Sequence, residues 1–189
     1  MGVMDDAERF EPATLAEWSE WLARNHGDRR GVWLVTAKRS TRRQPFDYEA
    51  AVVEALRYGW IDATQRSLDI ERSMLWFAPR NPRSGWSGTN KARIERLLEE
   101  GRLEPAGLAA VEVARANGSW SLLDDVEALV VPPDLAAALD AHGLRSAWDS
   151  MTPSLRRQHL LALVQAKRPE TREKRVASAV AAAAGGAPG

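Results

Sequence analysis

Trp60-Ile61-Asp62-Ala63-Thr64 and Ser73-Met74-Leu75-Trp76-Phe77-Ala78 are two short runs of strand-forming residues separated by polar sequence. Aromatic and β-branched side chains at this density favour extended chain, and two such runs so close together assemble most simply as a hairpin or small sheet. Upstream, Gly31-Val32-Trp33-Leu34-Val35-Thr36-Ala37-Lys38 is a third β-rich run, between Arg29-Arg30 and the polar Arg39-Ser40-Thr41-Arg42-Arg43-Gln44; it reads as a strand followed by a loop. Helical signals surround these strands. Thr14-Leu15-Ala16-Glu17 is a capping box ahead of Trp18, Trp21 and Leu22, apolar positions three and four apart, which predicts a helix over 15–25 that ends at Asn25-His26-Gly27. Asp47 caps a second helix, Tyr48 to Arg57, which Gly59 stops.

After Pro79 the chain changes character. Arg80-Asn81-Pro82-Arg83-Ser84-Gly85-Trp86-Ser87-Gly88 is dense in turn formers and reads as a structured loop. Ser87 or Thr89 can cap a helix over 90–100, with Ile94, Leu97 and Leu98 on one face and Gly101 as its stop. Further helices are expected at 105–117, 133–141 and 153–166, the last with Thr152 as cap and Pro153 at its first position. A final helix begins near Pro169 and decays into an Ala/Gly/Pro tail, expected to be flexible from 183 to 189. The predicted fold class is α+β: a mixed part over 10–80 and a helical part over 90–182, one domain over 1–182. Apolar helix faces at Leu97, Leu108, Val111, Leu160 and Leu163 exceed what the C-terminal helices could hide among themselves, so the two parts are expected to share one core.

Composition excludes more than it suggests. The 189 residues contain no Cys, which removes disulfides, thiolate nucleophiles and Cys-ligated metals together, and the three His residues, His26, His142 and His159, are scattered. No cofactor motif appears: there is no P-loop, no G-x-G-x-x-G and no carboxylate cluster suited to Mg²⁺. No stretch reaches the roughly 20 apolar residues of a membrane span, and the N-terminus is acidic where a signal peptide is basic, so a cytoplasmic location is expected. Lys+Arg and Asp+Glu balance at 26 each. The balance hides segregation, because residues 29–43 carry six bases and no acid while residues 1–28 carry seven acids against two bases. Such segments either gather for an anionic partner or pair within the chain, and the second is the commoner outcome. Arg168, Arg172 and Arg175 fall at helical spacing as a basic stripe, but a near-neutral chain argues against nucleic acid as a partner. Eight Trp stand against two Tyr and three Phe; most are expected to fill a core poor in other aromatics.

The order Gly59-Trp60-Ile61-Asp62, then the run from Pro79 to Lys91, then Gly107-Leu108, then Ala166-Lys167-Arg168-Pro169-Glu170-Thr171-Arg172 with Arg175 resembles the YdeI/OmpD-associated family, also labelled bacteriocin-protection proteins. The resemblance runs from Phe10 to Val180, and the Arg80–Asn90 segment is its most specific part. One departure is Tyr58, where members of the family often carry another aromatic residue or Cys. The resemblance implies a small α+β N-terminal part, of the kind seen in YjbR/CyaY-like proteins, followed by a helical C-terminal part. Functionally it implies a link to stress or bacteriocin protection and no agreed catalytic mechanism.

Read from the residues, the best site is the Arg80–Lys91 segment. Arg80 and Arg83 can each fork onto a carboxylate or phosphate. The first N–H groups of the helix after Ser87 form an anion-binding end, Ser84, Ser87 and Asn90 add neutral donors, and Lys91 adds charge. Trp86, with Trp60 and Trp76 from the adjacent strands, can supply a flat apolar wall, and Asp62 can orient an arginine or act as a base. The competing reading is structural: Trp86 anchors the loop, Ser87 caps the helix, and Arg80 and Arg83 pair with Asp62 or Glu71. Ser84 and Ser87 lack the G-x-S-x-G elbow and a neighbouring His, so acyl transfer is disfavoured, and no second titrating group presents itself beside Asp62. The ranking that results is a small anionic ligand-binding module first, a protein-interaction module second, and an enzyme using Asp62 third.

Overall fold

In the computed structural model, which describes Met4, residues 6–38 and residues 47–185, the two diagnostic runs are strands of one four-stranded sheet. Strand β1 (Arg9–Phe10) runs parallel to β2 (Val32–Ala37); β2 pairs antiparallel with β4 (Arg72–Pro79), and β4 with β3 (Trp60–Ser67), giving the order β1-β2-β4-β3. The hairpin is longer than its apolar runs because the exposed polar residues of β3 continue the pairing as far as Ser67↔Ser73, past a bulge between Asp62 and Gln65. The expected loop over Arg39–Gln44 lies outside the described residues.

Alternation along β2 and β4 gives the sheet two different faces. Trp33 and Val35 of β2 meet Met74 and Trp76 of β4 on one face, where Trp33 and Trp76 cross edge-on at 5.3 Å. Gly31 at φ 155° is required beside them, since a Cβ there would lie 2.1 Å from the Trp76 ring. Helices α1 (Leu15–Asn25) and α2 (Tyr48–Arg57) belong with the other face: Trp18 stacks on Trp21 at 5.5 Å and meets Phe77 of β4 at 5.2 Å, while Trp21 crosses Trp60 edge-on at 5.8 Å. Both helices start as their caps predict, Thr14 Oγ1 accepting from Glu17 N at 3.2 Å and Asp47 Oδ1 from Glu49 N at 3.1 Å. Seven of the eight Trp are buried, Trp120 being the exception, and the indole N–H groups of Trp18 and Trp60 donate to backbone carbonyls. The expectation that Trp is mainly core material holds.

The chain forms two compact units: residues 1–84 with 89–119, and residues 85–88 with 120–189. The helical half expected to follow the sheet is therefore divided, because α3 (Gly88–Glu99) and α4 (Pro105–Ala116) lie, but for Gly88, in the unit that holds the sheet. Gly107 of α4 approaches α2 so closely that a Cβ would sit 2.3 Å from Arg57 O. In the second unit α5 (Asp124–Glu127), α6 (Pro133–Ala141), α7 (Arg145–Ser150), α8 (Pro153–Val164) and α9 (Pro169–Gly185) close on Leu135, Leu139, Trp148, Leu160, Leu163 and Ala179. The short α5 and α7 were not legible as helices, being under two turns long. Residues 183–185, expected to belong to the tail, are helical. Helix α9 continues to Gly185, and Ala183 has no exposed surface because a methyl group is all that this face of the helix needs to pack; residues 186–189 lie outside the described residues.

Candidate functional site

Several polar groups of the loop singled out from the sequence hold its shape. Asn81 Oδ1 accepts from Arg83 N at 2.9 Å, Asn81 O accepts from Ser84 Oγ at 2.8 Å, and Pro82 O accepts from Asn117 Nδ2 and Ser119 Oγ, both at 2.9 Å. Arg80 is half-buried, and burial pushes its guanidinium down to about 10; its backbone N donates to Gly59 O at 2.9 Å. Arg83 is exposed. Trp60 is core, its N–H on His26 O at 3.1 Å. Lys91 is half-buried in the same unit. Trp86 and Ser87 fall in the other unit, where Trp86 is buried against Trp120 at 5.0 Å. There too Gly88 N, the first amide of α3, donates to Glu127 Oε1 at 2.8 Å, so a carboxylate of the chain itself meets the donor expected to receive an anion.

Two of the nominated residues do come together, with partners the sequence did not nominate. Asp62, near the start of β3, accepts at Oδ2 from the Tyr48 hydroxyl at 2.8 Å. Asn90 Oδ1 accepts from Arg93 at 2.6 Å, and the same guanidinium makes a two-pronged pair with Glu49. Burial, then the hydrogen bond to Asp62 and the charge behind it, push the Tyr48 phenol up to about 12, although half of the residue's surface faces solvent. Arg93 holds the Glu49 carboxyl below its ordinary range. These groups tie the first turns of α2 and α3 to the start of β3. A tyrosine made a weaker acid beside a carboxylate that accepts its proton is suited to orienting polar groups, not to proton transfer near neutral pH.

Tyr48 and Glu49 also line a cleft of about 980 Å³ between the first turn of α2 and the sheet. Its floor is two cross-strand rows set by the register. Leu34 of β2, Leu75 of β4 and Gln65 of β3 form one; Thr36, Ser73 and Ser67 form the next. The signal for this floor was present in the sequence as period-two alternation: Leu34 and Thr36 interleave with Trp33 and Val35, and Ser73 and Leu75 with Met74 and Trp76. Among the described residues, no three His, Asp or Glu side chains gather as a metal-binding group, and no helix is long and apolar enough to cross a membrane.

Of the basic segment 29–43, Arg29 lies 3.8 Å from Glu8 of the acidic segment, and Arg39, Arg42 and Arg43 lie outside the described residues; other charges pair inside each unit. Arg72 meets Glu11 at 2.8 Å, Arg57 meets Glu104 at 2.8 Å, and Arg172, the middle member of the expected basic stripe, is clamped on Asp134 at 2.6 Å with a further bond to Leu163 O.

Comparison with known families divides the chain much as the two units do. A model described as "Domain of unknown function (DUF8412)" matches residues 10–110, and one described as "Bacteriocin-protection, YdeI or OmpD-Associated" matches residues 128–186. No curated protein and no solved structure matches the chain. The Ala166–Arg175 motif lies inside the second match, whereas Trp60–Asp62 and the Arg80–Lys91 loop, which carried the resemblance most specifically, lie inside the first. With over half of its 189 residues inside the first match, the chain belongs to the family of the domain of unknown function DUF8412, and its residues 128–186 are similar to the YdeI/OmpD-associated, bacteriocin-protection family.

Proposed function

We propose that the chain is a small-ligand-binding module whose site is the cleft between α2 and the sheet. The observation that carries this reading is the cleft itself: an aliphatic row beside a hydroxyl row, in a volume within the roughly 300–1,000 Å³ usual for small-molecule sites. The binding class expected from the sequence is kept, and its place moves. Asn81, Asn90 and Gly88 N already have partners in the chain, whereas Leu75, half-buried over the fully buried Leu34, offers the cleft an aliphatic floor. A link between such binding and stress or bacteriocin protection belongs to the same proposal, and the resemblance over 128–186 is what supports it.

The test is a thermal-shift screen of neutral and anionic metabolites against the full chain, the Leu75→Trp variant, which fills the cleft, and Arg80→Ala. A ligand present at 100 times its dissociation constant stabilises by about 2.7 kcal/mol. Shifts that vanish in Leu75→Trp and persist in Arg80→Ala support the cleft. Shifts lost only in Arg80→Ala return the site to the Arg80–Lys91 loop, and no shift with any compound refutes the binding reading.

A second reading, a protein-interaction module, is favoured by one observation in the other unit. Leu144, Val176 and Val180 line an open groove of about 780 Å³ beside α9, with small Ala side chains between them. Alanine substitution of Val176 and Val180 that abolishes recovery of a partner, in a chain that binds no small molecule, would favour this reading over the first.

A further inference from the structure

The charged side chains on the cleft show what kind of ligand it suits. Among the described residues, four of them line it: Lys38, Asp47, Glu49 and Arg66. Lys38 Nζ donates to Ser67 Oγ at 2.8 Å and to Asp69 O at 2.5 Å. Asp47 caps α2, Glu49 is paired with Arg93, and the Arg66 guanidinium lies 5.1 Å from the centre of the Trp33 ring, a residue of the opposite sheet face. Each charge is thus already answered within the chain. A charged ligand would have to displace one of these partners and bear the desolvation itself.

The neutral groups are placed differently. Thr36 Oγ1 and Ser73 Oγ stand 3.5 Å apart, a loose contact that leaves both hydroxyls able to turn outward as donor or acceptor. Ser67 is spent on Lys38. At the end of the neighbouring row the exposed Gln65 amide makes no hydrogen bond among the described residues, and it offers a donor and an acceptor side by side. Leu75 of β4, half-buried and backed by the fully buried Leu34 across the β2–β4 register, gives the cleft an aliphatic surface, and the Tyr48 ring stands half exposed beside it. A planar ring laid on Leu75 would have Gln65 beside it in the same row and Thr36 and Ser73 in the next.

We infer that this cleft takes an uncharged ring ligand edged with alternating donors and acceptors, of the nucleobase or nucleoside class. The inference rests on the binding reading above and narrows it. A side-chain amide pairs two-pronged with the edge of such a base, as glutamine does with adenine, and the cleft volume leaves room for a sugar beyond the ring.

The experiment measures binding of adenine, adenosine, guanosine, cytidine and uridine to the full chain by calorimetry. It compares them with the corresponding 5′-monophosphates, with neutral monosaccharides and with aromatic carboxylates. The expected result is that at least one base or nucleoside binds, that its monophosphate binds no more tightly, and that Gln65→Leu weakens binding at least tenfold with an unchanged melting temperature. Thr36→Val, which keeps the shape of the side chain, should weaken it several-fold. A monophosphate that binds tenfold tighter than its nucleoside overturns the inference, because charge would then be what the cleft recognises. Exclusive binding of monosaccharides or carboxylates, or a Gln65→Leu variant that binds equally well, also overturns it while leaving the broader binding reading in place. Binding of none of these compounds, with hits from other classes in the thermal-shift screen, removes the inference alone; an empty screen removes both.

Discussion

Replacing Glu54 with Ala tests the polar strut that holds the sheet-bearing unit together. Glu54, on α2, is 4% exposed and has its carboxylate filled by three donors: Ser19 Oγ of α1 at 2.9 Å, Arg57 at 2.6 Å and Arg102 at 2.6 Å. Arg57 reaches on to Glu104 at 2.8 Å and to Arg102 O at 3.0 Å, so one buried acid joins α1, α2 and the link between α3 and α4. Removing one partner of a buried ion pair costs about 3–5 kcal/mol, chiefly because the opposite charge is left uncompensated. Here that penalty is moderated. Arg57 keeps Glu104, and the half-exposed Arg102 keeps Glu100 at 2.8 Å. The low end, about 3 kcal/mol, is therefore expected, and for a chain of this length it corresponds to a fall in melting temperature of roughly 6–12 °C. Glu54→Gln, which retains an acceptor but not the charge, should fall between wild type and Glu54→Ala. Urea unfolding followed by far-UV circular dichroism measures both variants, and pairing Glu54→Ala with Arg57→Met closes a double-mutant cycle. A loss under 1 kcal/mol for Glu54→Ala, or additivity within about 0.3–0.5 kcal/mol in the cycle, would refute the strut.

Gly107→Ala should destabilise by about 1–3 kcal/mol or more, since its Cβ would lie 2.3 Å from Arg57 O and backbone must shift to admit it; chemical denaturation decides, and a neutral substitution would mean that α2 and α4 separate freely. Asp62→Asn should bring the Tyr48 phenol back from about 12 toward its ordinary value, as the carboxylate's charge and its hold on the phenolic proton are lost; ultraviolet titration with Tyr58→Phe as background reads Tyr48 alone, the chain having two tyrosines. Burial holds His159 below its ordinary value. Its neutral form is therefore favoured by folding, the unfolded chain binds the proton more readily, and this part of the stability is intact above about pH 6.5 and lost as pH falls from there through the lower folded value. Melting curves between pH 5 and 8 should show that loss in wild type and less of it in His159→Leu.

Much of the fold was legible because it rests on local signals. Thr14, Asp47 and Thr152 each accept from the helix they precede, and the apolar runs at 32–37, 60–64 and 73–78 all lie in strands. The terminal strand β1 was not legible, since two residues, Arg9 and Phe10, carry no period; it exists because β2 offers an edge to pair with. Helix α3 starts at Gly88, two residues before the predicted start, and Glu127 answers its first amide from 39 positions away, a contact that no local rule foresees.

The candidate site was harder to read for the same reason. Charge and turn residues are conspicuous in a sequence, and they directed attention to Arg80–Lys91, where dense hydrogen bonding turns out to be what an irregular segment needs to keep its buried amides and carbonyls satisfied. Leu34, Thr36, Gln65, Ser73 and Leu75 are ordinary residues on three strands, and none announces a function. They become neighbours only through register, Leu34↔Leu75↔Gln65 in one row and Thr36↔Ser73↔Ser67 in the next. A slip of one residue in β2 against β4 would send Leu34 and Thr36 to the opposite face and bring Trp33 and Val35 onto the cleft floor. The two-tryptophan face protects against that slip, because Trp33 and Trp76 meet edge-on only in the observed register and Gly31 leaves the space that Trp76 fills. The face that carries no proposed function thus fixes the geometry of the face that does.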